Sequence, residues 1–367
     1  MHSPSFSHST LELLRRKGII NRSEYNESMQ QTLREIGEKK LLQKLQRFLG
    51  HSPSIIRIFS EDCAVLRGVA GQYRLFTADV LVRNIHFRCD YADARSIGRK
   101  AVLVNLSDIS AMGGTPSFFM LSAGLEKDTS IQFVEELYEG MTSVAGEAGI
   151  TFAGGNISQS PAMFLDIFME GEVAADEALF RNGARPGDVL FVSSPLGASS
   201  AGLKCLESGY RSGKIESAAI REAIQAHLEP PDHNAFARKL ASWKLLSSMI
   251  DLSDGLASDL PEICRESGTG AHLELNRIPV AGCVKELAAS MNWNPLELAL
   301  YGGEDYHLLF TVPSKNKSEL LRRTNADNIS VYEIGSLTES SQGICVLDSN
   351  GELIPLKQGF EHFQDAK

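Results

Sequence analysis

The sequence predicts a two-domain α/β protein, and three observations support this fold class. The chain has 367 residues, enough for two domains with separate buried cores. Short β-rich runs alternate with helical stretches in both halves of the chain. A turn-forming segment, GARPGD at residues 183–188, separates the halves. Alternation of this kind is typical of α/β domains, and the two predicted domains are of comparable size.

This segmentation predicts a helical N-terminal extension at 1–48, a first domain at 49–182 and a second domain at 183–367. Within the extension, LREIGEKKLLQKLQRFLG is predicted to form an amphipathic helix because several apolar residues fall close to one face: Leu33, Ile36, Leu41 and Leu45. Roughly the first 25 residues are expected to form a surface helix or a partly disordered arm, with a docking role as the alternative.

The predicted elements follow the alternation. The first domain is predicted to contain strands at Tyr73–Val80, Ser117–Leu125 and Met163–Val173 and helices at 93–112 and 130–148. The second is predicted to contain helices near 197–207, 217–227, 233–243 and 255–267, and strands at 189–193, 248–252, 271–275, 306–312, 330–335 and 343–348.

Composition narrows the functional classes. The formal net charge is −10 and no basic run exceeds Arg15-Arg16-Lys17, which disfavours a nucleic-acid partner. An acidic protein that acts on an anionic substrate needs a cation between them, and magnesium is the usual one. No apolar run approaches the length of a membrane span, so no membrane association is expected.

Cysteine usage and the N-terminus indicate a cytoplasmic protein. The six cysteines are widely spaced and form no CxxC pair, which argues against a zinc site and a disulfide framework. The segment MHSPSFSHST lacks the charged start and apolar stretch of a signal peptide. We therefore expect reduced thiols and no export.

Asp108 interrupts the apolar stripe of the helix predicted at 93–112. It shares one helix face with Ile97, Ala101 and Val104 at spacings of three or four residues. An unpaired buried carboxylate is costly, so Asp108 needs a partner. That partner is either a metal cation or a buried arginine or helix cap.

Two further acidic segments adjoin predicted strands. Ser60-Glu61-Asp62 precedes an apolar strand, where it forms either an ordinary acidic turn or a ligand-bearing loop. Thr77-Ala78-Asp79 follows the strand YRLF, at the position where α/β sheets place ligands. Asp79 could instead cap the next element.

Glycines accompany polar groups in three more segments. Gly154-Gly155-Asn156 ends a predicted strand, where glycines let backbone N–H groups approach a phosphate closely. Asp251 and Asp254 lie three apart at a strand-to-helix junction and could share a metal or cap the helix. The stretch GGEDY at 302–306 again places glycines beside paired acids.

Together these segments predict an enzyme for phosphoryl transfer. They offer many oxygen ligands and glycine-rich phosphate contacts, but the sequence has no GxxxxGK[ST], HExxH, GxSxG or Cys–His signature. Phosphoryl transfer depends on positioning and charge neutralisation rather than on a protein nucleophile. We expect ATP as co-substrate, several Mg²⁺ ions and a small acceptor.

The order SED, TAD, NLSD, GGN, IDLSDG and GGEDY resembles the thiamine-monophosphate kinase family, within the superfamily of the aminoimidazole ribonucleotide synthetases. The resemblance extends to the terminal GFEHF and covers nearly the whole chain apart from the N-terminal arm. It implies ATP- and Mg²⁺-dependent phosphorylation of thiamine monophosphate to thiamine diphosphate by direct in-line transfer. It also implies a homodimer whose N-terminal domains pair into a shared barrel-like sheet, with ATP and metals in clefts between them.

The resemblance assigns roles by position. Metal contacts fall on Glu61, Thr77, Asp79, Asp108, Asn156, Asp251 and Asp254. ATP contacts fall on Gly155, Asn156, Arg181 and Ser253, and substrate contacts on His86, Glu304 and Phe360. No general base is assigned. Phe360 could stack on a thiamine ring, and the Glu304 carboxylate suits a pyrimidine amine or a thiazolium cation.

Three positions depart from the family pattern. Glu61 stands where the family has aspartate, Ala78 replaces a hydroxyl residue, and Asn156 replaces an aspartate. Magnesium demands near-ideal octahedral geometry, so these changes predict a weakened magnesium site. The alternative is an inactive or weakened homologue that binds nucleotide or thiamine phosphate as a dimer. Selenophosphate synthetases and the hydrogenase-maturation relatives are disfavoured because the chain lacks their characteristic cysteines.

Overall fold

The computed structural model describes residues 32–211, 216–348, 351–361 and 363. The arm predicted at the start of the chain lies outside the described residues. The chain divides into two compact units, one within residues 1–50 and 361–367 and the other spanning 51–360. No helix among the described residues is long and apolar enough to cross a membrane.

The smaller unit contains helix α1 (Leu33–Leu45), followed by a 3-10 turn at Gln46–Phe48. Thr32 and Glu35 form a capping box at its start. Gly37 adopts a left-handed φ of 70° and kinks the helix. Only Ile36 and Gly37 are buried, so the prediction of one continuous amphipathic helix is wrong: the glycine breaks the apolar stripe.

The first sheet of the larger unit has six strands in the order β1-β2-β3-β6-β4-β5. Only β4 and β5 are parallel. The strands are β1 (Ile55–Arg57), β2 (Ala64–Arg67), β3 (Gln72–Val82), β4 (Thr115–Leu125), β5 (Thr151–Gln159) and β6 (Phe164–Ala174). The three strands predicted in this region are confirmed, although β3 extends past its predicted end.

Two long helices pack beside this sheet, α2 (Ala94–Ala111) and α3 (Ile131–Ala148). Their predicted positions are confirmed. The Asp93 side chain accepts from the Ser96 backbone N–H and caps α2. The helices approach closely because Gly98 lies against the Leu137 carbonyl, where any Cβ would clash. Fourteen of the 18 residues of α2 are buried, so α2 is the central element of this layer.

The second sheet has seven strands in the order β13-β12-β9-β11-β7-β10-β8. Only β12 and β9 pair in parallel. Its strands are β7 (Val189–Val192), β8 (Ser248–Asp251), β9 (Thr269–Glu274), β10 (Leu308–Val312), β11 (Tyr332–Glu339), β12 (Ile344–Leu347) and β13 (Leu353–Pro355). Strands β7, β8 and β10 are buried throughout, which explains their continuous apolar runs.

Among the described residues, seven helices accompany the second sheet. They are α4 (Ala198–Glu207), α5 (Ala218–Leu228), α6 (Asn234–Trp243), α7 (Leu256–Ser267), α8 (Gly282–Met291), α9 (Pro295–Tyr301) and α10 (Lys317–Ala326). The four predicted helices correspond to α4–α7, whereas α8–α10 were not predicted. The sheets lie on either side of the turn at 183–188 in the sequence, and the domain boundary placed there remains a prediction.

Candidate functional site

Three aspartates from distant parts of the chain meet in the larger unit. One carboxylate oxygen from each of Asp62, Asp108 and Asp251 lies within 4.8 Å of the others. Asp62 comes from the loop before β2, Asp108 from the last turn of α2 and Asp251 from the end of β8. We call these three residues the acidic cluster.

The NLSD segment of α2 holds the cluster together. The Ser107 Oγ donates to Asp251 Oδ2 at 2.6 Å, and the Thr77 Oγ1 donates to Asp108 Oδ2. The buried Asn105 accepts from the Asp79 backbone N–H at 3.0 Å and thereby fixes β3 against the helix. One turn of α2 therefore positions groups from β3 and β8 together.

The electrostatics of the cluster disfavour three free negative charges. Burial raises the pKa of Asp108 well above its usual range, and the charges of Asp79 and Asp251 raise it further. Burial, with the nearby Asp62, raises the pKa of Asp251 to about 8. A divalent cation would replace the protons that such a cluster must otherwise hold.

Arg181 connects this cluster to Glu61. Its guanidinium lies 2.5 Å from Asp62 Oδ1, and its backbone N–H donates to Glu61 Oε2 at 2.7 Å. Burial raises the pKa of Glu61 to about 7. The second oxygens, Asp62 Oδ2 and Glu61 Oε1, are buried without a hydrogen-bond partner among the described residues.

These orphaned oxygens test whether a metal fits the site. Buried polar atoms are normally satisfied, so two unsatisfied carboxylate oxygens beside the cluster indicate a missing ligand. The three donors of the acidic cluster are carboxylate oxygens, which suit Mg²⁺ rather than a thiophilic metal. The residues present therefore fit a magnesium ion, with Asp62 rather than Glu61 in the cluster itself.

Asp79 lies within strand β3 rather than after it, because β3 pairs with β6 over its whole length to Val82. Alternation along the strand puts Thr77 and Asp79 on the face that carries α2, and Ala78 on the opposite, outer face. The inner-face positions are thus adjacent to the acidic cluster.

Asn156 is not brought to the cluster within one chain. Gly154, Gly155 and Asn156 lie inside edge strand β5, not in a loop, which corrects the prediction that the strand ends at the glycines. Asp79 on β3 pairs with Ile167 on β6. Ile167 also pairs with Leu121 on β4, and Leu121 pairs in turn with Gly155 on β5. Three strand spacings of about 4.8 Å therefore separate β3 from β5. Asn156 pairs with exposed Ser122 and shares the outer face with it.

The second predicted acidic segment, around Asp254, packs against the GGEDY loop. The backbone N–H of Glu304 donates to the Ser253 carbonyl at 2.6 Å. Gly255 has φ +96°, and a Cβ there would clash with the Gly302 carbonyl. The buried Asp259 accepts from the Asp254 backbone N–H at 3.1 Å. Both glycine-rich segments therefore have a steric need for glycine where they touch.

Two predicted substrate positions, His86 and Glu304, meet through a lysine that the sequence analysis missed. The ammonium Nζ of Lys100 lies 3.0 Å from Glu304 Oε1 and 3.4 Å from the His86 carbonyl. The Nδ1 of His227 lies 3.2 Å from Glu304 Oε2. We call Lys100, His227 and Glu304 the carboxylate clamp.

Phe360 lies next to the Asp254 segment. Its backbone carbonyl accepts from Ser258 Oγ at 3.2 Å, in the first turn of α7. About half of its side chain is exposed. The structure thus places the Phe360 backbone beside the first turn of α7 and leaves the residue about half exposed.

Three residues of these sites were given no role from the sequence: Asp62, Lys100 and His227. Lys100 carried a usable signal, because it lies on the same helix stripe as Ile97, Ala101 and Asp108 and a lysine there must be buried and paired. Asp62 adjoins Glu61, and adjacent acids alternate in direction, so spacing alone does not select one. His227 reaches the site only through long-range packing.

Two domain-family models and several thiamine-monophosphate kinases match the chain. Residues 60–173 match the AIR synthase related protein N-terminal domain, and residues 185–348 match the corresponding C-terminal domain. The thiamine-monophosphate kinase of Aquifex aeolicus (strain VF5) is 31% identical over 90% of this chain and 99% of the relative. That of Escherichia coli (strain K12) is 32% identical over 83% of this chain and 90% of the relative.

A solved structure matches the fold. AaThiL complexed with AMPPCP and TMP has a TM-score of 0.79 and 30% identity to this chain, and the match covers 90% of this chain and 99% of that chain. The acidic cluster and the carboxylate clamp lie within residues 60–173 and 185–348, which the two domain families match.

Proposed function

Because this chain belongs to the thiamine-monophosphate kinase family of AIR synthase related proteins, we propose that it makes thiamine diphosphate from thiamine monophosphate and ATP. It is a two-domain α/β phosphotransferase with a phosphate group as acceptor. The observation that carries this proposal is the acidic cluster together with two buried carboxylate oxygens, Asp62 Oδ2 and the neighbouring Glu61 Oε1, that have no hydrogen-bond partner among the described residues. Such a site suits a cation-dependent transfer between phosphates.

The acceptor chemistry explains the lack of a base. A phosphate monoester is already ionised at neutral pH, so its oxygen can attack the γ-phosphorus in line without proton removal. Magnesium, when bound, would offset charge on the phosphate oxygens. Asp62, Asp108 and Asp251 would hold it, with Asp79, Asp254, Thr77 and Glu61 as the neighbouring donors.

Arg181 is the proposed clamp on the ATP phosphates. Its guanidinium is anchored by Asp62, and its Nε is buried with no partner among the described residues, so donor capacity remains for a phosphate oxygen. Ser253 and Gly155 are proposed to contact the nucleotide through family position. His86, Glu304 and Phe360 are proposed to contact thiamine monophosphate.

We propose further that the active protein is a cytoplasmic homodimer. The outer face of the first sheet exposes Val80, Met120 and Phe168, with exposed fractions of 44%, 42% and 37%. An apolar patch of this kind on a sheet is typical of an interface. Pairing of two such faces supports the shared barrel-like sheet that the family resemblance implies.

Light scattering coupled to gel filtration tests the dimer. Phe168→Asp places a charge on the proposed interface and should give a monomer, whereas Val69→Asp, in the exposed turn between β2 and β3, should leave the dimer intact. A monomeric unmodified protein at micromolar concentration contradicts the proposal.

The weakened homologue remains the second candidate, and one observation favours it. Two departures from the family pattern, Ala78 and Asn156, lie on the same outer face of the sheet, whereas Thr77 and Asp79 on the inner face and Asp108 on helix α2 are unchanged. Magnesium bound from the outer face would therefore be the ion that this chain holds least firmly.

ADP release with thiamine monophosphate at saturating Mg²⁺ tests the activity. We expect thiamine-monophosphate-dependent turnover, none with unphosphorylated thiamine, and loss of turnover in Asp251→Asn. No ADP release from the unmodified protein, even in excess metal, contradicts kinase activity. In that case nucleotide binding measured by calorimetry distinguishes a binding dimer from a protein without ATP affinity.

A further inference from the structure

The carboxylate clamp connects a helix that packs beside the first sheet with a helix and a loop that accompany the second sheet. Lys100 comes from α2 and His227 from the last turn of α5, while Glu304 comes from the GGEDY loop. Each carboxylate oxygen of Glu304 has its own partner, the Lys100 ammonium at 3.0 Å on Oε1 and His227 Nδ1 at 3.2 Å on Oε2. The orientation of the carboxylate plane is therefore fixed from two sides.

The clamp is electrically neutral. The Lys100 side chain is only 3% exposed, and a buried ammonium requires a counter-charge, which Glu304 supplies. Burial and the Lys100 charge lower the pKa of His227 to about 4, so its ring is neutral at physiological pH. Burial alone would raise the pKa of Glu304, but Lys100 and His227 outweigh it and keep the pKa below its usual value.

Neutrality changes what Glu304 can offer a substrate. A carboxylate with an unpaired negative charge would attract a cation such as a thiazolium ring. Here that charge is already balanced by Lys100, so the remaining capacity is for hydrogen bonding. An ionised carboxylate has about four acceptor sites, of which Lys100 and His227 occupy one on each oxygen. The Glu304 side chain is 25% exposed, so acceptor sites remain accessible.

The backbone of Glu304 has a positive φ, a conformation that residues other than glycine rarely adopt. Its φ is +63°, and that of Tyr306 is +49°. Hydrogen bonds from Glu304 N–H to Ser253 and from Tyr306 N–H to Leu252 enforce this geometry. Strained residues of this kind concentrate at sites where a side chain must be aimed. Ser199 Oγ also lies 3.1 Å from His227 Nδ1, so this one ring nitrogen faces both the hydroxyl and the Glu304 carboxylate.

We propose that Lys100 and His227 are positioning residues that aim Glu304 to accept hydrogen bonds from the 4′-amino group of the thiamine pyrimidine, rather than to balance the thiazolium charge. This proposal rests on the proposed kinase function and assigns its acceptor specificity. Lys100 is too buried to contact the substrate, so it acts through Glu304.

Steady-state kinetics with three acceptors tests the assignment. The acceptors are thiamine monophosphate, the analogue in which hydrogen replaces the 4′-amino group, and the analogue in which a neutral thiophene replaces the thiazolium. We expect the unmodified enzyme to discriminate against the deaminated analogue by about 10²-fold or more in kcat/KM, since a site built for a hydrogen bond rejects a ligand that lacks the donor. Discrimination against the neutral-ring analogue should be much smaller.

Lys100→Met should raise the KM for thiamine monophosphate at least tenfold, leave the KM for ATP within twofold, and reduce discrimination against the deaminated analogue. Lys100→Arg should recover part of that discrimination, because it restores the charge pair. Lys100→Met combined with Glu304→Gln removes the unbalanced carboxylate and should fold even if Lys100→Met alone does not. That double variant should show no further loss of discrimination beyond Glu304→Gln.

Two results would overturn the proposal. The first is unchanged discrimination against the deaminated analogue in Lys100→Met, or equal effects on both KM values. The second is a change in discrimination against the neutral-ring analogue instead, which would make Glu304 a counter-charge. Failure of the kinase function itself is separate, since the unmodified protein would then release no ADP with any acceptor.

Discussion

The acidic cluster and the carboxylate clamp both bury ionisable groups, yet they differ in completeness. In the clamp each oxygen of Glu304 has a partner and the charges sum to zero. In the cluster three carboxylates converge, and Asp62 keeps an oxygen without a partner among the described residues. In the clamp, therefore, the protein itself balances the buried charge, whereas the acidic cluster would need bound protons or the proposed cation to do so.

The largest expected effect comes from removing one charge of the cluster. Asp108→Asn keeps an oxygen for the Thr77 hydroxyl but loses a metal-binding charge, so kcat/KM should fall by about 10³-fold or more. Without magnesium the variant should unfold at a higher temperature than the unmodified protein, because repulsion within the cluster is relieved. Kinetics and calorimetry measure the two effects.

The matched control is Asp128→Asn, an exposed aspartate in the turn before α3. It should change neither quantity measurably. A comparable loss of activity in both variants would show that the activity does not depend specifically on the Asp108 charge.

Magnesium removal should expose the incompleteness of the cluster as a pH dependence. The pKa of Asp251 is about 8 in the folded protein against an ordinary 3.8, so its contribution to stability is full below about pH 4 and is lost as pH rises towards 8. Without metal, the melting temperature should therefore fall between pH 6 and pH 8. Added Mg²⁺ should raise it by several degrees, and more at pH 8 than at pH 6.

Sodium chloride at equal ionic strength is the control for screening by salt. An equal magnesium effect at both pH values would contradict a proton-holding cluster. The Asp108→Asn variant should show a reduced magnesium effect at pH 8.

Protonation of His227 at low pH should destabilise the carboxylate clamp and lower the free energy of unfolding. The folded pKa of His227 is about 4, below its ordinary 6.5, so its contribution to stability is present above pH 6.5 and is lost as pH falls towards 4. This histidine alone should account for about 2 kcal/mol of unfolding free energy over that window. Urea unfolding of His227→Gln should show a shallower acid loss than the unmodified protein.

The buried pair His233 and His307 has lowered pKa values of about 4 and about 3, so part of the slope should persist in His227→Gln. His51→Gln, at an exposed histidine, should leave the slope unchanged. An identical slope in His227→Gln would refute the assignment.

The smallest expected effect concerns the outer face. Asn156→Asp restores a charge at the exposed edge strand and should lower the Mg²⁺ concentration for half-maximal rate by about three- to tenfold, roughly 1 kcal/mol. Asn325→Asp adds the same charge at the exposed end of α10 and should have no effect. An unchanged magnesium requirement in Asn156→Asp would exclude that residue as a donor.

The helices were the most predictable part of the fold. Helix α2 was predicted to within a residue or two because its apolar stripe repeats at spacings of three or four. Strand ends were less predictable. Strand β3 runs past Asp79 to Val82 because β6 pairs with all of it, and no local pattern encodes that partner. Strand β5 likewise continues through two glycines because β4 supplies its hydrogen bonds.

The types of residue in the site were predictable from the sequence, whereas the contacts between them were not. Asp108 was identified from its place in an apolar stripe, and Asp251 from its place after a strand. The choice of Asp62 over Glu61 for the cluster depends on how one loop turns against Arg181. The clamp depends on α5 packing against α2, a contact between residues more than a hundred positions apart.

Helix α2 carries Lys100 for the clamp and Asp108 for the cluster. Eight residues of α-helix rise by about 12 Å, so this rigid helix segment sets the separation between the proposed acceptor site and the proposed metal site. An acceptor whose recognised amine and reactive oxygen are much closer together or farther apart cannot satisfy both ends. Inserting one residue between Lys100 and Asp108 would rotate the two ends of this segment by about 100° relative to each other. Under the proposed function, the fixed length of the segment makes the length of the acceptor a criterion of substrate choice.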